Sequence, residues 1–166
     1  MARSERIFLA LTLDIYFIKG DFQRSVDLAQ QGINLISIPE KSNSSKPKIN
    51  STIFSLYQAL GKGYLGLKEY DDALQAIGKG LKPITTFQKD LDETLKKVEE
   101  VFKDSQDNAE KLKSQVISAK SLLEIYRQSL LTDQGNVYDQ MGNQIQAIAV
   151  YREVLSLDGA AVLESV

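Results

Sequence analysis

The sequence predicts an all-α protein, and three observations carry this prediction. Apolar residues recur at steps of three and four along most of the chain, which is the spacing of one helix face. The sequence contains no pair of segments with the apolar–polar alternation of paired strands. Gly, Pro and Asp residues separate the periodic segments, as they do at joints between helices.

Composition narrows the function classes. The chain has 166 residues, the size of one domain. It has no Cys and no His, which excludes disulfides, cysteine nucleophiles and every triad or metal site that needs imidazole. With 20 Lys and Arg against 22 Asp and Glu, it is a poor match for nucleic acid or an anionic membrane. We therefore expect no catalytic residue, no metal, no cofactor, no nucleic-acid partner and no membrane partner.

The N-terminal segment is interpreted as a first helix. Arg3 and Arg6 precede the apolar run Ile7–Leu13, as in a short signal peptide, but Asp14 interrupts the run and no small-residue cleavage site follows. No stretch approaches the roughly 18 apolar residues of a membrane span. We expect a cytoplasmic protein, and the absence of Cys agrees with that location.

The first half of the chain predicts two helices followed by a loop. Gly20-Asp21 suits a tight turn between the helices, with Asp21 capping the second. The polar segment 39–52, with Pro39 and Pro47, is predicted to be an exposed loop. The two helix faces are Ile7, Leu11, Ile15 and Ile18, and then Val26, Ala29, Ile33 and Ile36.

The segment from Ile84 to Gln134 contains neither Gly nor Pro and keeps a helical apolar period. Pro83 is expected to end the helix before it. Two interpretations of the segment remain. The first is one long helix or coiled-coil arm over Leu91–Leu130, through which two chains could dimerise. The second, which we favour, is a helical hairpin turning at Asp104–Asn108, because a turn there lets both apolar stripes be buried in one domain.

Three segments share small and aromatic residues in phase around a helix–turn–helix joint. The middle one has Leu60-Gly61-x-x-Tyr64 and Ala73, and the last has Gly135-x-x-Tyr138 and Ala147-x-x-x-Tyr151. This pattern resembles the tetratricopeptide repeat (TPR), with its W-x₂-L-G-x₂-Y first helix and A-x₃-F second helix over ~34 residues. Tyr57 stands in place of the Trp. The first segment departs from the pattern, with Thr12-Leu13 for Leu-Gly and Ser25 for Ala.

The resemblance implies a right-handed α-α superhelix of about four antiparallel helix pairs, one of them degenerate. The joint residues Ser25, Ala73 and Ala147 are separated by more than one repeat length, which leaves room for the loop and for the degenerate pair. The expected organisation is a single TPR-like domain over 1–166, with repeats at 6–38, 53–83 and 128–158, the loop at 39–52, the degenerate pair at 86–127 and the start of an unfinished helix at 159–166.

The small residues have a packing role in this interpretation. Gly61, Gly135, Ala73 and Ala147 lie where the two helices of a repeat approach closely. Residues 61–66 also spell G-x-G-x-x-G, but no strand precedes them and no acidic residue occurs at 85–88. A dinucleotide site needs both, so no cofactor is expected here, and Gly61 and Tyr64 already have roles in the repeat pattern.

The resemblance also implies a binding surface, because the first helices of successive TPRs line a concave face. The candidate groove residues on that face are Asp14, Phe17, Ser55, Gln58, Lys62, Leu65, Ser129, Thr132, Asn136 and Asp139. Only Lys62 and Asn136 suit the carboxylate of a peptide terminus, whereas Asp14 and Asp139 oppose an anion. A clamp for chaperone tails is therefore disfavoured.

The function expected from the resemblance is protein–protein recognition. The chain would be a scaffold or adaptor that binds a peptide or partner helix on the concave face. The alternative is a regulatory TPR segment of a larger signalling enzyme, for example a caspase-like peptidase, kinase or phosphatase. A homodimer through the helices of 86–127 is a further possibility.

Overall fold

The computed structural model describes residues 12–13, 15–37, 51–101 and 106–163, and every regular element in these ranges is a helix. This confirms the all-α prediction. We number as α1 the helical residues 12–13 and 15–18. The remaining helices are α2 (Phe22–Ser37), α3 (Ser51–Leu67), α4 (Tyr70–Val101), α5 (Gln106–Gln140) and α6 (Gln144–Leu163). Each of α2 to α5 packs against the next helix in the chain, and α3 also contacts α5.

Three turns with the same hydrogen bonds join the helices of the pairs α1–α2, α3–α4 and α5–α6. Their central residues have positive φ: Gly20 at 73°, Lys68 at 63° and Gly142 at 75°. In each turn the N–H of the next residue bonds the carbonyl of a tyrosine five positions back, at 2.8–2.9 Å, for Tyr16, Tyr64 and Tyr138. This is the Schellman arrangement at a helix C-terminus. The three joints predicted from the sequence are therefore structurally equivalent.

Two clusters of buried residues form the core. The first joins α1, α2, α3 and α4 through Leu13, Val26, Ala29, Ile33, Leu56, Leu60 and Ala76. The second joins α3, α4 and α5 through Phe54, Ala73, Ile77, Ile84, Leu123, Leu130 and Val137. Tyr64 packs against both clusters and so lies between them.

The glycines of α3 face two different helices. A Cβ on Gly61 would lie 2.7 Å from Cγ1 of Ile77 in α4, and one on Gly63 would lie 2.7 Å from Cγ2 of Val26 in α2. A Cβ on Gly66 would overlap the ring of Phe22. All three glycines of the G-x-G-x-x-G segment thus permit close helix packing, a role that the sequence predicted for Gly61 alone.

Helices α4 and α5 form an antiparallel pair, as the hairpin interpretation of 84–134 expects. Of the turn predicted at Asp104–Asn108, residues 106–108 belong to α5 and residues 104–105 lie outside the described residues. Helices α4 and α5 pack against each other, and Gln88 Nε2 donates to Glu124 Oε2 at 2.8 Å, while Lys120 Nζ lies 2.8 Å from Asp92 Oδ1. These pairs run in opposite directions along the two helices, so the helices are antiparallel. The apolar stripe proposed for a dimer packs inside the chain, because Val98, Val116, Leu123 and Leu130 are all buried.

Helix boundaries differ from the prediction at three places. Pro83 does not end a helix but lies inside α4. It removes one backbone hydrogen bond, and the full burial of Ile84 in the second cluster offsets that cost. Gly159 likewise lies inside α6 rather than before a new helix, and Ala160 and Ala161, strong helix formers, follow it. Ser51 and Thr52 belong to α3, and residues 39–50 of the predicted loop lie outside the described residues.

The degenerate pair is consequently not a separate unit. Its first helix is the C-terminal half of the 32-residue α4, and its second is the N-terminal half of the 35-residue α5. Helix α3, with 17 residues, is about half as long as either. The antiparallel pair expected at 86–127 therefore forms as an extension of the neighbouring repeats.

Substitution of Gly61 tests the close helix approach. We expect Gly61→Ala to lower the free energy of unfolding by about 1–3 kcal/mol, because the added methyl overlaps the fully buried Ile77. In the control Gly78→Ala the added methyl meets nothing within 4 Å. Because alanine favours the helix over glycine, we expect this variant to raise the free energy of unfolding by about 0.5–1 kcal/mol. Urea unfolding of both variants measures the difference. Equal effects would show that the α3–α4 approach leaves room for a side chain.

Lys68 tests the equivalence of the three turns. Among the described residues it is the one non-glycine with positive φ. We expect Lys68→Gly to raise the free energy of unfolding by about 1 kcal/mol, because glycine adopts this conformation without steric cost. Gly142→Ala, where a Cβ meets nothing within 4 Å, should lower it by a similar amount. Thermal unfolding reports both, and a destabilised Lys68→Gly variant would contradict the assignment.

Candidate functional site

A buried carboxylate lies where α3 meets α5. Asp133 of α5 is 7% exposed. Its Oδ2 accepts a hydrogen bond of 2.8 Å from Nε2 of Gln58 in α3 and lies 3.8 Å from Nζ of Lys62. The same Gln58 amide also donates to the hydroxyl of Ser129, one turn before Asp133. These four residues form a polar cluster between two repeats, and we call it the Asp133 cluster.

Burial dominates the electrostatics of this cluster. It raises the pKa of Asp133 above its usual 3.8, while the Gln58 hydrogen bond and the charge of Lys62 act in the opposite direction. Lys62 is 39% exposed and is therefore largely solvated. Its attraction for Asp133 at 3.8 Å only partly offsets the loss of water around the carboxylate.

The exposed part of the face lies on the next turns of α5. Thr132, Asn136 and Asp139 are exposed. The Thr132 hydroxyl donates to the carbonyl of Gln128 at 2.8 Å. The carboxamide oxygen of Asn136 accepts a 2.8 Å hydrogen bond from the hydroxyl of Tyr151 in α6. Burial raises the pKa of the Tyr151 hydroxyl, and the charge of Asp139 raises it further. This donor therefore stays protonated.

The structure brings some of the predicted groove residues together and separates others. Gln58, Lys62 and Ser129 meet in the Asp133 cluster, and Ser55 is half-buried on the same helix as the first two. Leu65 packs against the second core cluster. Phe17 lies at the α1–α2 turn, where its ring centroid is 5.5 Å from that of Phe22. Asp14 lies outside the described residues.

Asp133 was missed by the sequence prediction. It lies four residues after Ser129 and three before Asn136, so it shares a helix side with two predicted groove residues. Its neighbours Leu130, Leu131 and Val137 are all buried. An isolated acid between such positions is a signal for a buried carboxylate, but only the packing of α3 shows what it bonds.

Within 12–13, 15–37, 51–101 and 106–163, no three acidic side chains are grouped as a metal ion would require. In the same ranges no helix has both the length and the apolar character needed to cross a membrane. The Asp133 cluster contains one carboxylate, one amide, one ammonium and one hydroxyl, which is a set suited to hydrogen bonding.

Comparison with known protein families finds a similarity in the C-terminal part of the chain. A family model of the tetratricopeptide repeat matches residues 124–160. This segment is therefore similar to a tetratricopeptide repeat. It covers the C-terminal half of α5, the turn at Gly142 and most of α6. Searches among curated proteins and among solved structures found no match.

The match supports the TPR interpretation for the last of the three predicted repeats. Within the matched residues 124–160, Gly135 faces Tyr151, and a Cβ there would overlap the tyrosine ring. Ala147 is 2% exposed. Both are the close-approach positions predicted for the last repeat. TPRs mediate protein–protein interactions in general, which is the coarse function that the match supports.

The buried charge of Asp133 makes stability depend on pH. Since its pKa is raised by folding, the folded chain binds this proton more tightly than the unfolded chain. The stability that this proton contributes to the folded chain is therefore fully present below pH 3.8. It is lost as the pH rises through the pKa that Asp133 has in the folded chain. We expect Asp133→Asn, which keeps an acceptor for Gln58, to raise the free energy of unfolding at pH 7, with a gain that shrinks towards pH 4.

Urea unfolding at several pH values between 4 and 7 measures this effect. Asp139→Asn is the matched control, because Asp139 is exposed on the same helix, and it should leave the pH profile unchanged. A loss of stability in Asp133→Asn at pH 7 would show that the pairing with Lys62 outweighs the cost of burial.

Proposed function

We propose that this chain is a protein-interaction scaffold that binds a peptide or a helix of a partner across the face shared by α3 and α5. The observation that carries the proposal is the TPR at 124–160 together with its direct contact to α3. Repeats of this kind act through surfaces built from adjacent repeats rather than through a catalytic centre.

On this face, some residues join the two repeats and others remain exposed for a partner. The Asp133 cluster joins the two repeats, so Gln58, Lys62 and Ser129 hold α3 against α5. The residues left for a partner are the exposed Thr132, Asn136 and Asp139. We propose that these three side chains, with the exposed part of Lys62, form the binding surface.

The charges on this surface favour one class of partner segment. Lys62 lies beside the buried Asp133, which lowers its pull on an incoming anion. Asp139 is exposed and repels an anion. We therefore propose a neutral or basic partner segment instead of an acidic tail.

A matched pair of threonine variants tests the surface. Thr132 on α5 and Thr86 on α4 are both exposed, and each hydroxyl donates to the carbonyl four residues earlier, at 2.8 Å and 3.4 Å. We expect Thr132→Arg to lose at least tenfold of the captured partner from a cell extract, because the arginine obstructs the face. Thr86→Arg should capture as much as the parent chain.

Circular dichroism of both variants controls for folding. Loss of capture by both variants, or by neither, would contradict the assignment of the face. The captured protein is then identified by mass spectrometry, and its binding is repeated with purified components to obtain the two dissociation constants.

A further inference from the structure

Two helix faces, one on α1 and one on α6, carry apolar residues that are uncovered in the single chain. Ile15 and Ile18 of α1 are 50% and 82% exposed, and Ile148 and Leu155 of α6 are 52% and 68% exposed. Among α2 to α6, helix α6 packs against α5 alone. The two faces therefore lie on the first and the last of the described helices, and they do not cover each other.

The same register joins consecutive repeats at two places inside the chain. Positions are counted from the residue of positive φ at the centre of each turn. Gly66, two positions before its turn centre, lies against the ring of Phe22, two positions after the preceding one. A Cβ on Gly80, twelve positions after a turn centre, would lie 3.1 Å from Cδ1 of Leu130, twelve positions before the next. The second helix of one repeat thus packs antiparallel on the first helix of the next.

The exposed residues of α1 occupy the positions through which the later first helices pack on the preceding repeat. Ile15, five positions before its turn centre, corresponds to Gly63 of α3 and Val137 of α5. Gly63 leaves no room for a Cβ against α2, and Val137 is fully buried. Ile18 corresponds to Gly66, which packs on α2 in the same way. Helix α1 therefore presents a stacking face with no helix on it.

The exposed residues of α6 occupy the positions that receive such a helix. Ile148, six positions after its turn centre, corresponds to Val26 of α2, which is buried against α3. It also corresponds to Leu74 of α4, which packs against the second core cluster. Leu155 corresponds in the same way to the buried Ile33 of α2. Helix α6 therefore presents apolar residues where α2 and α4 each hold the next helix.

The polar residues of the α6 face do not obstruct a helix placed there. Arg152 corresponds to Gln30 of α2 and Gly78 of α4, which both stay exposed beside a packed helix. The charge of Arg152 would therefore stay in water. Gln144 takes the place of Phe22, so a helix on α6 buries less apolar surface than α3 buries on α2. Such a contact is weaker than those inside the chain, and its occupancy rises with protein concentration.

Each uncovered face supplies what the other lacks, and this complementarity makes a second copy the occupant. We propose that copies of this chain associate head to tail, with α1 of one copy on α6 of the next, in the register of the α2–α3 interface. Ile15 then lies against Ile148 of the second copy, and Ile18 lies beside Gln144. Because the two faces differ, the contact is heterologous and further copies can add at each end. The inference goes beyond the proposed function, since it uses α1 and α6 instead of the face shared by α3 and α5.

Analytical ultracentrifugation of the 166-residue chain, over a concentration series up to about 1 mM, tests the association. The mean mass of the parent chain should rise from 18.5 kDa and pass twice that value. Ile15→Lys and Ile148→Lys should each remain at the monomer mass, because either one places a charge in an apolar contact. We call these two the blocked variants.

Ile145→Lys is the matched control on α6. Ile145 is 82% exposed and lies one turn before Ile148. It corresponds to Gln23 of α2 and Asp71 of α4, which stay exposed beside a packed helix. The control should therefore associate like the parent chain, although it carries the same added charge as the blocked variants.

A mixture of the two blocked variants tests the head-to-tail geometry. The Ile148→Lys chain keeps an intact α1 face, and the Ile15→Lys chain keeps an intact α6 face, so the mixture can form one intact junction. It should give a species of twice the monomer mass and nothing larger, although each variant alone stays monomeric. Circular dichroism checks that both variants are folded, as the exposure of both positions leads us to expect.

Several results would overturn the proposal. One is a parent chain that stays monomeric at every concentration or stops at the dimer. Another is a blocked variant that associates like the parent, or a control variant that does not associate. The last is a mixture of the two folded blocked variants that remains monomeric. All of these measurements use the purified chain, so none of them depends on the partner of the proposed scaffold.

Discussion

The close approach of paired helices is the constraint on which the rest of this structure depends. Gly61 against Ile77 and Gly135 against Tyr151 leave no room for a Cβ, so the helices of these pairs sit nearer than ordinary side chains allow. The Schellman turns at Gly20, Lys68 and Gly142 reverse the chain over two or three residues and bring each second helix back onto its first. The repeated turns and the small residues together allow the helix pairs α1–α2, α3–α4 and α5–α6 to form.

Helices α4 and α5 are about twice as long as α3, so they extend beyond the stacked repeats. In a regular array each helix would be about as long as α3, but α4 and α5 continue for roughly another helix length and pack on each other. The extension keeps its apolar stripe inside, through Val98, Val116 and Leu123. On its other side Ile117, Leu122 and Ile125 are exposed. The proposed scaffold surface lies beyond this extension, on the C-terminal half of α5 and on α3.

Much of the fold could be predicted from the sequence, because its signals are local. Periodic apolar residues, the Gly20-Asp21 joint and the paired Gly61 and Ala73 depend on residues a few positions apart. The structure places the joint, the glycine and the Val26, Ala29 and Ile33 face of α2 as predicted. The face predicted for α1 is wrong, because Ile15 and Ile18 are 50% and 82% exposed. The amide N–H of Arg24 bonds the Asp21 carboxylate at 3.4 Å, as expected for a cap. Pro83 was misjudged, because its local preference to end a helix is outweighed by the burial of Ile84 against a distant helix.

The candidate site was only partly predictable, because its key contacts join residues more than 70 positions apart. The sequence by itself determined the helical class, the joints and the small residues at close approaches, since these follow from spacing and backbone preference. Only the tertiary structure decided that Gln58, Lys62 and Ser129 surround Asp133, and that one side of α5 is buried while the other is open. Contacts between repeats depend on how far each helix extends before it turns, and no local pattern in the sequence specifies that length.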